Sequence, residues 1–278
     1  MGLQPNQLKT IAEMIEKETG IVYSEVNYFQ LEHRLEEASK SLSFASTIQL
    51  FEQFRVGLSP VAKDLLLDLA TNNETSFYRD PGIFKALEEA IVPEMIAASP
   101  GKSHLKIWSA AASTGQEAYS IAMLFDQKIA EKSASGQPWP DFSLFCSDFS
   151  ERVLKRVEQG KYSQLEVQRG LAAKLLVQYF DRDEESQWTI KAALRRRIQT
   201  RKINLLEPFP LLGTFDIIFC RNVLIYQQVE NKKIVIQKLF DLLHPGGVLI
   251  LGAAESLLGI SDKFKQKQHL NGVYFQKP

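Results

Sequence analysis

Hydrophobic positions in the first seventy residues recur at helical intervals. Leu8, Ile11, Ala12 and Ile15 fall at offsets of three, four and seven, which places them on one helical face. Residues 27–40, 47–55 and 60–69 continue the pattern, and no strand-like alternation interrupts it. Asp80-Pro81 then supplies a cap and a first-turn proline for a helix over 82–98. Beyond Pro100 the rhythm changes. Apolar runs at 105–110, 142–146 and 215–220 alternate with amphipathic stretches starting at Gln116, Ser150 and Val229, and "HPGGVLILGAA" reads as a Pro-Gly-Gly turn into a buried strand. Strand and helix in repetition predict a doubly wound parallel sheet.

Two segments break that repetition. Between Lys161 and Asn204 a helix near 171–179 and strands near 187–191 and 194–203 suggest an inserted subdomain, taken as 161–203. At the end, "FKQKQHLNGVYFQKP" reads as two short strands around Asn271-Gly272, a strong hairpin signal. A parallel sheet closed by an antiparallel hairpin is unlike a dinucleotide dehydrogenase and typical of the methyltransferase variant of the Rossmann fold. The expected organisation is a helical domain over 1–70, a linker and connecting helix over 71–99, and the α/β domain over 100–278.

Charge and composition narrow the function. Lys+Arg and Asp+Glu both number 33, so the basic excess that phosphate contacts demand is missing and a nucleic-acid partner is not expected. The first residues lack an apolar signal core and no run approaches 18 apolar residues, which predicts a cytoplasmic protein without membrane insertion. The Asn73-Glu74-Thr75 glycosylation sequon is then idle. Cys146 and Cys220 are too few for a disulfide scaffold, and the four histidines lie far apart in sequence without metal-ligand spacing, so no metal is expected.

In an open α/β sheet, ligands lie beyond the carboxyl ends of the strands, so the residues there carry most weight. After the first strand come Ala111 to Gly115 and then Glu117, at a helix start whose free N–H groups suit a carboxylate or polar tail. Alanines where a pyrophosphate loop has glycines restrict close backbone approach, so a nucleoside without phosphates fits better. After the second strand Asp148 either accepts from a ribose diol or caps the helix at Ser150; position alone leaves both open. Arg221 and Asn222 follow the strand at 215–220, with Tyr226 four residues beyond Asn222. Taken singly, the plainer reading is a surface ion-pair partner for Arg221 and a core ring with a wetted hydroxyl for Tyr226.

The combination says more. "NNETSFYRD", "WSAAASTGQEAYS", "FCSDFS", "INLLEPFP", "FDIIFCRNVLIY" and "PGGVLILGAAES" occur in that order, and together they resemble the chemotaxis receptor glutamate O-methyltransferases, the CheR family, over nearly the whole chain. The resemblance implies S-adenosylmethionine (SAM) as methyl donor, S-adenosylhomocysteine as product, and as acceptor a glutamate carboxylate on the cytoplasmic helical bundle of a chemotaxis receptor. Carried over by position, the cofactor-contacting residues are Asn73, Thr75, Arg79, Glu117, Asp148, Asn204, Leu205, Arg221 and Asn222, and those beside the reactive methyl are Arg79 and Tyr226. Gln116-Glu117-Ala118 departs from the common pattern, which has an acid before the glutamate and a proline after it, but the glutamate is kept. A monomer is expected.

Such a reaction needs little from the protein in proton chemistry. A glutamate is ionised at neutral pH, so attack on a sulfonium methyl requires no general base, consistent with the lack of a catalytic His or Cys constellation. A rival NAD-dependent enzyme would carry G-x-G-x-x-G, which is missing. A second rival, a non-catalytic SAM-sensing or receptor-binding module of the same fold, is disfavoured by intact Arg79 and Tyr226. Residues 1–70 carry 6 Lys/Arg against 10 Asp/Glu, although the family presents basic groups there; Arg34 and Lys40 form either a local basic face or part of a solvated surface. Family members that tether to a receptor's terminal peptide add it to the inserted β-subdomain beside a glycine-containing loop. Phe180 to Asn204 contains no glycine, and its basic run from Lys191 to Lys202 reads most simply as a solvated face, so a tether-independent enzyme is expected.

Overall fold

Proline and glycine bracket the first helix, α1 (Pro5–Thr19): Pro5 sits in the first turn, where its missing N–H costs nothing, and Gly20 ends the helix at φ 76°. Then come α2 (Tyr28–Ser41), α3 (Thr47–Val56) and α4 (Pro60–Ala70), the last two capped by the Ser46 and Ser59 hydroxyls. Leu8, Ile11 and Ile15 are buried together with Leu31, Leu35, Leu50 and Leu66. These helices belong to the first of two units in the computed structural model, which describes residues 2–134, 139–209 and 211–278. That unit comprises Met1–Asn72 and Tyr226–Asn231. Ile21 bridges Gln227 in antiparallel fashion, and the Val22 N–H donates to the Tyr226 carbonyl at 2.8 Å.

The second unit, Asn73–Ile225 with Lys232–Pro278, begins with α5 (Pro81–Ala86), a π turn (Leu87–Ile91) and α6 (Val92–Ala98). Sequence periodicity predicts one regular helix here. The π turn arises just ahead of Pro93, whose ring in a regular helix would clash with the carbonyl four residues back. Strands β1 (His104–Ala110) and β2 (Asp141–Asp148) flank α7 (Gln116–Ala134), and α8 (Glu151–Gln159) follows. Residues 135–138, between α7 and β2, lie outside the described residues, as does Pro210. Next come β3 (Lys161–Tyr162), α9 (Gln164–Gln168), α10 (Ala173–Tyr179), β4 (Phe180–Arg182), β5 (Trp188–Ile190) and α11 (Ala192–Arg195). The chain continues through β6 (Ile198–Lys202), β7 (Phe215–Cys220), α12 (Val229–Leu242), β8 (Leu243–Leu251), β9 (Lys265–His269) and β10 (Gly272–Gln276).

Among the described residues seven strands form one sheet in the order β6-β2-β1-β7-β8-β10-β9, with β6 through β8 parallel and β10 antiparallel to both neighbours. Successive residues of β7 enter opposite faces: Ile217 and Phe219 join one core cluster with Ile107, while Ile218 and Cys220 join the other with Trp108. This is the α/β sheet with a terminal antiparallel hairpin that the sequence predicts.

Three details differ from expectation. The strand foreseen over 194–203 starts at Ile198, after a helical turn, and pairs parallel with β2 at the edge of the main sheet. The separate small sheet, β3-β5-β4, therefore ends at Ile190. Pro245, Gly246 and Gly247 lie inside β8, whose register against β7 shifts between Phe215 and Ile217, so they form an irregularity in the strand and not a turn before it. In the hairpin, the two-residue loop is Leu270-Asn271, with His269 paired to Gly272. Gly272 opens β10 because a Cβ there would stand 2.6 Å from the Gly82 carbonyl oxygen. No helix among the described residues is long and apolar enough to cross a membrane.

Candidate functional site

Because β2, β1, β7 and β8 run parallel, the residues that follow them emerge at one edge of the sheet. The turn after β1 is unusual there: Ala111, Ser113 and Gly115 all have positive φ, at 56°, 50° and 93°. Tyr78, Asp80 and Asn222 share this conformation, so five of the eight such non-glycine residues among the described ones belong to these loops. Side chains rarely adopt it, and it persists where the surroundings over-determine it. Here they do. The Asp148 carboxylate accepts from the backbone N–H of Ser113 at 2.9 Å and of Ser150 at 3.0 Å, and the Ser113 hydroxyl donates to the Asn73 carbonyl at 2.8 Å. The fully buried Tyr162 hydroxyl donates to the Thr114 carbonyl at 2.8 Å from below. A Cβ on Gly115 would meet Val157 at 3.0 Å. The helix cap proper is Ser150, whose hydroxyl accepts from the Val153 N–H.

Glu117 and Arg221 meet. One Arg221 guanidinium nitrogen donates to the Glu117 carboxylate at 2.9 Å; the other donates to the Arg79 carbonyl at 2.9 Å and to Asp80 at 2.6 Å. The Ser109 hydroxyl donates to the second Glu117 oxygen at 2.7 Å. The Arg221 side chain is only 2% exposed, which replaces the surface ion pair of the plainer sequence reading with a buried network. Arg79 is half-buried, and its guanidinium donates to the Glu74 carbonyl at 3.2 Å. Arg169, hydrogen-bonded to Glu74, holds that carboxyl below its ordinary range. Thr75 is half-buried on the same segment.

Asn222 is held from beneath by Glu255. The Glu255 carboxylate accepts four backbone N–H groups: Gly252 at 2.7 Å, Asn222 at 2.8 Å, Leu224 at 2.8 Å and Ile225 at 3.2 Å. A Cβ on Gly252 would stand 2.6 Å from the side-chain amide nitrogen of Asn222 and 2.9 Å from its backbone nitrogen. Asp80, Arg221, Gly252 and Glu255 line a cleft of about 260 Å³. Asn204 and Leu205 follow β6, where Lys238 donates to the carbonyls of Leu205, Leu206 and Glu207. Tyr226 belongs to the first unit, and its hydroxyl accepts from the Asn72 amide at 2.7 Å. Cys220 closes β7, but burial pushes its thiol well above the ordinary value, so it offers no nucleophile.

The structure thus joins Glu117 and Arg221 directly, reaches Arg79 only at its backbone carbonyl, and links Asn73 with Asp148 through Ser113. Ser109 and Glu255 complete these groups and were not singled out from sequence, whereas Asp80, expected to cap the following helix, makes no side-chain cap bond and accepts from Arg221. The donor set fits SAM. Glu117 and Asp148 offer acceptors to an ammonium and a ribose diol, and the alanine-rich turn lacks a phosphate cradle. The Arg221 Nε–H is buried without an acceptor among the described residues, as a carboxylate-bearing ligand would require. If Asp148 accepts from the ligand as well as from the Ser113 amide, its replacement by alanine weakens SAM binding about 5- to 150-fold in calorimetry. Unchanged affinity would reduce Asp148 to a loop support.

Residues 73–273 match the family model described as CheR methyltransferase, SAM binding domain. The chain is 36% identical to the chemotaxis protein methyltransferase Cher2 of Pseudomonas putida and 34% identical to chemotaxis protein methyltransferase 1 of Pseudomonas aeruginosa, covering 94% of both partners in each case. It is 32% identical to the chemotaxis protein methyltransferase of Vibrio parahaemolyticus, over 99% of this chain and 98% of that one.

Proposed function

Since the chain belongs to the CheR methyltransferase family, with residues 73–273 as its SAM-binding domain, we propose that it methylates glutamate side chains of chemotaxis receptors, forming methyl esters. The observation that carries this reading is the buried Arg221–Glu117 pair, bonded on its other side to the Arg79 backbone carbonyl, a network with charged and hydrogen-bonding groups but no histidine or reactive thiol. SAM, when bound, supplies an electrophilic methyl group. Transfer to an ionised carboxylate would leave a neutral ester and a neutral thioether, with the C–S electron pair on sulfur, and would require no residue of the chain to move a proton. Two opposite charges disappear, so water exclusion and alignment are what the protein contributes.

Arg79 then has a restricted task. A tight bidentate clamp would stabilise the carboxylate and blunt its attack, so Arg79 orients the acceptor without neutralising it. Tyr226 directs its hydroxyl to the acceptor oxygen that does not attack. Asn73, Thr75, Asn204, Leu205 and Asn222 hold the methyl donor.

Receptor capture is independent of a terminal peptide tether in this reading. The small sheet has edge strands of two and three residues, β3 and β4, and no glycine between Phe180 and Asn204. Titration with receptor carboxyl-terminal peptides should give no measurable binding, and truncating those residues from the receptor should leave methylation rates unchanged. Micromolar peptide affinity would overturn tether independence while leaving the reaction intact.

A further inference from the structure

Tyr226 is fixed at both ends within the first unit. Its carbonyl accepts from the Val22 N–H at 2.8 Å, and its neighbour Gln227, itself buried, bridges Ile21. At the other end the Asn72 side-chain amide donates to the phenolic oxygen at 2.7 Å. Asn72 leaves a firm base. The Tyr23 hydroxyl donates to the Ala70 carbonyl at the end of α4, and Thr71, also buried, closes its N–H and hydroxyl onto the Asp68 carbonyl. Asn72, Tyr226, Tyr23 and Arg34 line one pocket of about 430 Å³.

We infer that Asn72 is a positioning residue that sets the direction of the Tyr226 hydroxyl proton. An amide N–H can only donate, so the phenolic oxygen must be the acceptor in this contact. A phenol O–H prefers the ring plane and has two orientations there. A donor occupying one side leaves the proton on the other, ready for an incoming carboxylate oxygen. The orientation is therefore settled before the acceptor arrives, which lowers the entropy cost of alignment in the transition state. Asn72 precedes the matched SAM-binding segment by one residue and belongs, with Tyr226, to the first unit. The inference rests on the function proposed above.

The test is a double-mutant cycle on the full chain, using methyl-labelled SAM and membranes carrying the organism's chemoreceptors, with SAM affinity followed by calorimetry. Tyr226→Phe should lower kcat about 10- to 100-fold, the loss of one hydrogen bond to a charged group. Asn72→Ala should lower kcat about 3- to 10-fold in the wild-type background and leave it unchanged in the Tyr226→Phe background, because it acts only through the hydroxyl. Asn72→Asp should be slower than Asn72→Ala and recover as pH falls: an ionised aspartate accepts the phenolic proton and repels the acceptor, and protonation relieves both. SAM affinity should stay within about twofold throughout. Equal Asn72→Ala effects in both backgrounds, or none in the wild type, would overturn the positioning role while Tyr226 keeps its own. An unaltered kcat in Tyr226→Phe would remove Tyr226 from the reaction and this inference with it, whereas wild-type protein that makes no methyl ester would refute the functional reading itself.

Discussion

Replacing Arg221 with methionine should destabilise the fold by about 3–5 kcal/mol, the typical cost of removing one partner from a buried ion pair. The side chain is 2% exposed and Glu117 is 12% exposed, so solvent screening gives little relief when the guanidinium is lost. Glu117 would keep only the Ser109 hydroxyl, the Arg79 carbonyl would lose a donor, and Asp80 would lose its bond while holding a left-handed φ of 59°. Urea unfolding should show a lower midpoint with an unchanged slope. Adding Glu117→Gln to Arg221→Met should restore part of the loss, because the isolated charge is then gone. A single variant within about 1 kcal/mol of wild type would mean that the network is not the support of this edge.

The second large effect is expected at Glu255. Its two oxygens gather four amides from the loops after β7 and β8, including that of Asn222 at φ 60°. Glu255→Ala leaves these donors without their charged acceptor, and a loss of about 2–4 kcal/mol follows from hydrogen bonds of this type. Amide exchange should locate the effect: Asn222 and Leu224 lose protection, while amides of β1 keep theirs. SAM binding should weaken about 10-fold or more, because Asn222 is no longer held in its strained conformation. Glu255→Gln should be intermediate, as one oxygen still accepts while the amide group opposes the other pair of donors. Retained protection at Asn222 would show that the chain holds the turn without the carboxylate.

These effects mark the limits of sequence reading. Periodicity placed the strands that form the sheet and the helices α1 to α4, since burial of one face imposes the spacing it detects. It could not say what an edge strand pairs with, so Ile198–Lys202, with its basic and half-exposed positions, read as part of the insertion although it continues the main sheet. Asn-Gly at 271–272 marked a hairpin, but the glycine answers to the close approach of α5 and the loop lies one residue earlier. Topology made legible the positions of Asp148 as the last residue of β2, of Arg221 and Asn222 just after β7, and of Glu117 at the start of α7. The burial of Arg221 was not, because its partners Glu117 and Asp80 lie 104 and 141 residues away. Glu255 left no signal of its own: a carboxylate that collects backbone amides has no periodicity, and its place within "GAAES" gains meaning only when two loops are seen to share it.

Methyl transfer to receptor glutamates is read out by incubating the full chain with methyl-labelled SAM and chemoreceptor-bearing membranes, then mapping base-labile esters by mass spectrometry. Label is expected on glutamate side chains of the receptors' cytoplasmic helical bundle, released as methanol by mild base and lost when Arg79 is replaced by alanine. Protein that binds SAM yet deposits no base-labile label, or places base-stable methyl groups on other side chains, would contradict it.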